Sequence, residues 1–205
     1  MVASQEKALN MMRRILNKKL SNDGCTVGHT QRVIEISLSL GKEIGLSPDE
    51  LEDLYWGAML HDIGKIAVNP EILNKPGALT LEEYRHIMTH SILSLNIAKN
   101  MVNERVLEII SHHHDYYDGR GLNQTIAGEE IPLGARILAL ADAFDAMTSD
   151  RPYRAAMSDE KAFVEIRRCR GTQFDPGVAS AFLKMHLLPR PALQYAMADL
   201  KENGR

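Results

Sequence analysis

His61 and Asp62 stand side by side at the end of the apolar run Tyr55-Trp56-Gly57-Ala58-Met59-Leu60. An imidazole and a carboxylate buried there without partners are costly. A divalent cation compensates both, because each is a ligand of first-row metals. Other stretches offer the same chemistry: His29, His90, the pair His113-His114, and Asp142. Each falls at a helix end or on the inward stripe of a helical pattern. Together they are seven nitrogen and oxygen donors from five helical segments, and neither cysteine is among them. Seven donors exceed one tetrahedral ion, so the set predicts two ions at higher coordination, with Asp62 as the bridging carboxylate. Such a pair activates water and clamps the attacking and leaving oxygens of an in-line displacement, usually at a phosphate ester. Asp62 and Lys65 are the catalytic candidates. Lys65 lies one helical turn beyond His61 and is spaced to approach a phosphate oxygen. Arg151 and Arg154 follow the last ligand-bearing helix and offer a second phosphate clamp.

The elements that must position these groups are helical throughout. His29 opens a helix whose inward stripe continues through Val33, Ile36, Leu40 and Ile44, and Gly45 ends it. Ser47-Pro48-Asp49-Glu50 is a capping box with proline at the first helical position. Leu51, Leu54, Ala58 and Asp62 then form one inward line. Thr80 with Glu83 caps a helix expected to run to about Lys99, with His90 sharing a face with Ile87, Ser94 and Ile97. Val106, Ile109, Ile110 and His113 follow at helical spacing. Asp118 to Asn123 is a turn-rich loop, and Pro132 starts an apolar helix, Leu133 to Met147, that carries Asp142 and Asp145. Ser158 caps a helix to about Cys169, and a short helix follows Pro176.

Bulk properties set the frame. At 205 residues and 44% hydrophobic composition the chain buries one core. Residues 1–20 read as an amphipathic helix, either a packing helix or the end of a linker from a sensor domain. Residues 21–188 are expected to form the catalytic domain, and 189–205 a C-terminal helix or tail. A net charge of −3 with interspersed signs argues against a DNA partner. No membrane span and no leader are expected from the sequence, and two cysteines point to a reducing compartment, so the expected location is cytoplasmic. Few aromatics, at 5%, and abundant Leu, Ile, Ala and Met favour an all-α fold.

Several stretches carry a family resemblance. These are Leu60-His61-Asp62-Ile63-Gly64-Lys65-Ile66, Lys75-Pro76-Gly77 with Leu79-Thr80, His113-His114, and Ile131-Pro132-Leu133. Ala141-Asp142-Ala143-Phe144-Asp145-Ala146-Met147-Thr148-Ser149-Asp150-Arg151-Pro152-Tyr153 and Phe174-Asp175-Pro176 complete the series. From His29 to Phe182 the chain resembles the HD-GYP subgroup of the HD-domain metal-dependent phosphohydrolases. The resemblance implies a helical HD-domain bundle with a binuclear metal site in its core, and hydrolysis of cyclic di-GMP or a related cyclic dinucleotide. It implies one ion held by His29, His61, Asp62 and Asp142, and another held by Asp62, His90, His113 and His114. Iron is the expected resident, with manganese next. Members with a third ion use a glutamate four residues before the first histidine; Cys25 stands there, so two are expected. Lys65, Asp145, Arg151 and Arg154 are the implied substrate contacts. Sensor or diguanylate-cyclase-type partners and a homodimer are the implied associations.

The chain departs from the subgroup in its naming loop. Where members commonly read His-His-Glu and then Gly-Tyr-Pro, this chain has His113-His114-Asp115 and Gly121-Leu122-Asn123. Leu122 has neither the hydroxyl nor the ring of the expected tyrosine. Two alternatives therefore stand beside the phosphodiesterase: a metal-containing signalling module that binds a nucleotide or protein with little turnover, and a phosphohydrolase for another nucleotide.

Overall fold

The structure, a computed structural model, describes residues 28–150 and 155–187. The helix expected over 1–20, Cys25, Arg151, Arg154 and the tail over 189–205 lie outside the described residues.

Nine α-helices follow one another among the described residues: α1 His29–Ile44, α2 Pro48–Leu60, α3 Pro70–Leu73, α4 Leu81–Met88, α5 His90–Ala98, α6 Glu104–His112, α7 Leu133–Thr148, α8 Asp159–Arg168 and α9 Pro176–Leu187. Ile63–Ala67 and Gly128–Glu130 form 3-10 turns. The described residues hold no strand, only an isolated bridge between Arg170 and Phe174. The all-α expectation holds. No described helix is long and apolar enough to cross a membrane.

Local chemistry explains the boundaries. Gly45 takes a left-handed φ of 92° and returns its N–H to Gly41 and Lys42, closing α1. Ser47 and Glu50 form the reciprocal capping box at the start of α2, and Thr80 and Glu83 form another at α4. Asn103 and Ser158 cap α6 and α8 by accepting backbone N–H groups.

The single helix expected from Thr80 to about Lys99 is two. Thr89 interrupts it, with its hydroxyl donating to the His86 carbonyl at 2.7 Å. A threonine hydroxyl bonded to its own preceding turn competes with the backbone ladder. The break makes His90 the first residue of α5. After Asp62 the chain makes the Ile63–Ala67 3-10 turn, and the stretch beyond Ile66, which the sequence predicts to be irregular through Gly77, contains the short α3.

α1 lies against α2 and α7, α2 also meets α6 and α7, and α5 packs on the Ile63–Ala67 turn. Val33, Leu40, Leu54, Ala58, Ile110, Leu138, Leu140 and Ala141 fill the space between them and are fully buried. Each large aliphatic side chain there contributes about 1.5–3 kcal/mol by leaving water. Phe144, Phe163 and Phe182 join α7, α8 and α9 through ring contacts at 4.9–6.1 Å. This core fixes α1, α2, α6 and α7, the helices that carry or lead into His29, His61, Asp62, His113, His114 and Asp142.

Candidate metal centre

α2 ends at Leu60, leaving His61 and Asp62 in the turn that follows. That turn is anchored from α5. The Ser94 hydroxyl, fully buried, accepts the Gly64 N–H at 2.9 Å and donates to the His61 carbonyl at 2.7 Å. Gly64 is required by proximity: a Cβ there would sit 2.1 Å from the His90 carbonyl oxygen and 2.7 Å from the Ser94 nitrogen. Turn and α5 therefore meet backbone to backbone, which brings His90 beside Asp62.

The predicted ligands converge. One group is His29, His61 and Asp142, the other His90, His113 and His114, and within each group the donor atoms lie within 4.8 Å of one another. Asp62 stands between them with its two oxygens divided. Oδ2 is 3.5 Å from His29 Nε2 and 3.4 Å from His61 Nε2, while Oδ1 is 3.3 Å from His90 Nε2. Asp142 Oδ1 adds a contact to His29 Nε2 at 3.3 Å, and His90 and His114 face each other through Nε2 atoms 3.2 Å apart.

The hydrogen bonds behind the rings decide which nitrogen faces inward. His61, His90 and His113 each donate from Nδ1 to the carbonyl three residues earlier: Ala58 at 2.8 Å, Ile87 at 2.7 Å and Ile110 at 2.6 Å. A carbonyl only accepts, so Nδ1 carries the proton and the neutral ring turns a bare Nε2 lone pair to the centre. His61 Nε2 and His113 Nε2 are buried without a hydrogen-bond partner. At His61 that lone pair faces a carboxylate oxygen, acceptor against acceptor, an arrangement a cation relieves. Ligands about 2.1 Å from a shared ion lie about 3.0–3.4 Å apart. The observed spacings, 3.2–3.4 Å for four pairs and 3.5 Å for His29 with Asp62, lie in or just beyond that range.

The two groups differ in charge. In the metal-free chain burial and the neighbouring histidines push His113 down to about 3. Burial likewise holds His90 below, and His114 well below, the ordinary imidazole value. Burial also works against charge on His29, but hydrogen bonds to Asp145 and Asp62 and the charge of Asp142 lift it to about 9. A cation bound at His29 therefore displaces a proton. Burial opposes ionisation of Asp62, yet the Lys65 ammonium and a hydrogen bond from His29 hold its carboxyl well below the usual range.

Lys65 Nζ lies 2.6 Å from Asp62 Oδ2, on the partly open side of the centre. Asp145, expected among the substrate contacts, faces the other way. It is 2% exposed, accepts from His29 Nδ1 at 2.7 Å, and pairs with Arg32, which also donates to the Ser149 hydroxyl at 2.9 Å. Both oxygens are committed, so Asp145 orients His29 and is not available to substrate. Sequence alone gives neither Ser94 nor Arg32 a part in the site. Ser94 lies on the face assigned to His90, but its bonds to the turn after Asp62 arise only from the tertiary approach.

Comparison with known proteins gives the family. Residues 10–178 match the HD domain family, and the chain belongs to it. A cyclic di-GMP phosphodiesterase of Thermotoga maritima is 39% identical over 161 residues, 77% of this chain and 44% of that protein. A cyclic di-GMP phosphodiesterase response regulator of Xanthomonas campestris is 33% identical over 183 residues, 88% of this chain and 48% of that one. A 3'3'-cGAMP-specific phosphodiesterase of Vibrio cholerae is 36% identical over 166 residues, 80% of this chain and 36% of that one. The chain thus spans less than half the length of these relatives. Among solved structures, a cyclic GMP-AMP-specific phosphodiesterase of Vibrio cholerae superposes with a TM-score of 0.62 at 22% identity, over 81% of this chain and 45% of that one. An HDG"Y"P protein of Bdellovibrio bacteriovorus gives 0.64 at 19% identity, over 78% and 52%. These two share the fold.

Proposed function

We propose that the chain is a binuclear-metal phosphodiesterase that hydrolyses cyclic di-GMP or a related cyclic dinucleotide. The observation that carries this reading is Asp62, whose two oxygens face separate histidine groups at 3.3–3.5 Å. His29, His61, Asp62 and Asp142 would hold one divalent ion, and Asp62, His90, His113 and His114 the other. The resemblance makes iron the first choice and manganese the second, and imidazole and carboxylate donors without thiolate suit either. Such ions supply Lewis acidity toward a phosphate ester and lower the pKa of water.

The protein's own groups have separate tasks. Asp145 and the carbonyls of Ala58, Ile87 and Ile110 fix the tautomers, so Nε2 points inward without rotation. Lys65, 21% exposed, is near enough to leave Asp62 for a phosphate oxygen, with Arg151 and Arg154 as further phosphate partners in this reading. Support for the substrate comes from the relatives, which act on cyclic di-GMP or on 3'3'-cGAMP. The reading carries with it a cytoplasmic location, a homodimer, and a sensor or diguanylate-cyclase-type partner.

A second reading, a metal-containing module that binds a nucleotide with little turnover, is favoured by Leu122. That residue is 37% exposed and offers no hydroxyl where the resemblance leads one to expect tyrosine. One experiment separates the readings. Anaerobically purified protein loaded with iron or manganese is incubated with cyclic di-GMP, 3'3'-cGAMP and linear nucleotides, and products are read by mass spectrometry. Linear dinucleotide or mononucleotide product, absent from Asp62→Ala, is the expected result. Binding without product moves the assignment to the second reading, and product only from another nucleotide moves the substrate.

A further inference from the structure

The loop that follows His114 is tied back onto the turn that carries it. The Asp115 carboxylate, 5% exposed, is the post. It accepts from His112 Nδ1 at 2.6 Å, from the Asn123 backbone N–H at 2.9 Å and from Asn123 Nδ2 at 3.2 Å. Asn123 Nδ2 also donates to the Ser111 carbonyl at 2.9 Å, and the Leu122 N–H donates to the His114 carbonyl at 3.2 Å. Gly121 lets the strands of the loop touch: a Cβ there would lie 2.3–2.6 Å from Tyr116 N, Asp115 Cα and the His114 oxygen. The loop's outer side is held as well, by Tyr117 N–H to Gln173 and Asp118 N–H to Thr172, at 3.2 and 2.9 Å.

We infer that Asn123 is a positioning residue for His113 and His114, acting through Asp115, and that the same clamp sets where Leu122 stands. Its backbone N–H is part of the device. A proline at this position, the last of the expected triplet, could not make that bond, so Asn123 and Asp115 work as a pair. The carboxylate lies one residue from His114 and two from His113, and its three donors come from both sides of the turn. Freeing it loosens the backbone that aims both rings. Partners at this remove from a metal typically change its affinity by about 10–100-fold.

The inference rests on reading His90, His113 and His114 as metal ligands, and the test separates the two. Metal-free wild type is titrated with cobalt(II), followed by visible absorption, alongside Asn123→Ala, Asp115→Asn, their double variant, and Thr125→Ala at an exposed position of the same loop. Asn123→Ala is expected to weaken one class of cobalt site by about 10-fold or more and to shift its ligand-field band. The double variant should lose no more than the worse single variant, as for two residues acting through one bond set. Thr125→Ala should match wild type. If Asn123→Ala does not fold by circular dichroism, Asp115→Asn, of the same shape, carries the same expectation. Wild-type affinity and spectrum in the folded variants would overturn the clamp, as would an equal loss in Thr125→Ala. Failure of wild type to bind cobalt would instead overturn the metal reading.

Discussion

His29 is held between two aspartates that do different things. Its Nδ1 donates to Asp145 at 2.7 Å, while its Nε2 faces Asp142 at 3.3 Å on the same helix, α7. The two carboxylates are three residues apart, so one lies behind the ring and one in front of it. Replacing Asp145 by Asn keeps the shape but presents a weaker, uncharged partner to Nδ1. The expected result is a loss of about 10–100-fold in metal affinity at the His29 group, with the His90 group unchanged. Metal content after dialysis against a graded chelator, read by mass spectrometry of the element, measures it. Equal losses in both groups would contradict the separate role of Asp145.

The pH dependence of the metal-free protein follows from two histidines with opposite shifts. His29 stands at about 9 in the fold against 6.5 in the unfolded chain. Its contribution is therefore full below 6.5 and is lost as pH rises through about 9. His113 stands at about 3 against 6.5, so unfolding takes up a proton that the fold refuses, and stability falls as pH drops from 6.5 toward 3. Asp145, held at about 2 by His29 and Arg32 against the pull of burial, adds to the acid loss below the ordinary carboxylate value of 3.8. The metal-free melting temperature should peak near the ordinary imidazole value and fall on both sides. Loading metal removes the proton from His29, so the alkaline decline should disappear. A flat metal-free profile between 6.5 and 9 would show that His29 carries no charge.

Ser94→Ala tests the anchor between α5 and the turn after His61. The substitution leaves the Gly64 N–H and the His61 carbonyl buried with their shared partner gone. Leaving such groups unsatisfied costs about 1–3 kcal/mol. Urea unfolding of the metal-free variant should show that loss, and its metal affinity should fall because His61 and His90 both move. Unchanged stability would mean that water replaces the hydroxyl in a space the structure shows as fully closed.

Much of this fold was readable because its boundaries rest on local chemistry. Gly45 and the boxes at Ser47–Glu50 and Thr80–Glu83 are decided within four residues, and the structure places them as expected. The histidines were visible because polar rings on apolar stripes need a reason. Tertiary detail was not readable. The break at Thr89 looks like one continuous helix in sequence, since Ile87, His90, Ser94 and Ile97 keep helical spacing across it. Asp142 and Asp145 look alike in the same apolar helix, and only the position of His29 tells them apart. Asp115 and Asn123 both stand out as departures from expected motifs, but their pairing depends on a loop closure spanning eight residues.

Lys65 offers the sharpest separation of binding from chemistry. Its ammonium is 2.6 Å from Asp62 Oδ2, where it neutralises a carboxylate that the metal reading assigns to both ions. Lys65→Met keeps the aliphatic stem and removes the charge. Asp62 then meets a bound cation without competition, so metal affinity should stay the same or rise. A phosphate ester loses a cation for its developing charge, and turnover should fall by about 100-fold, in kcat more than in KM. Steady-state kinetics on metal-replete protein, with metal content measured on the same samples, checks both halves. If Lys65→Met instead loses metal in step with activity, the lysine's task is to hold Asp62 in place, and the phosphate contact must come from elsewhere in the chain.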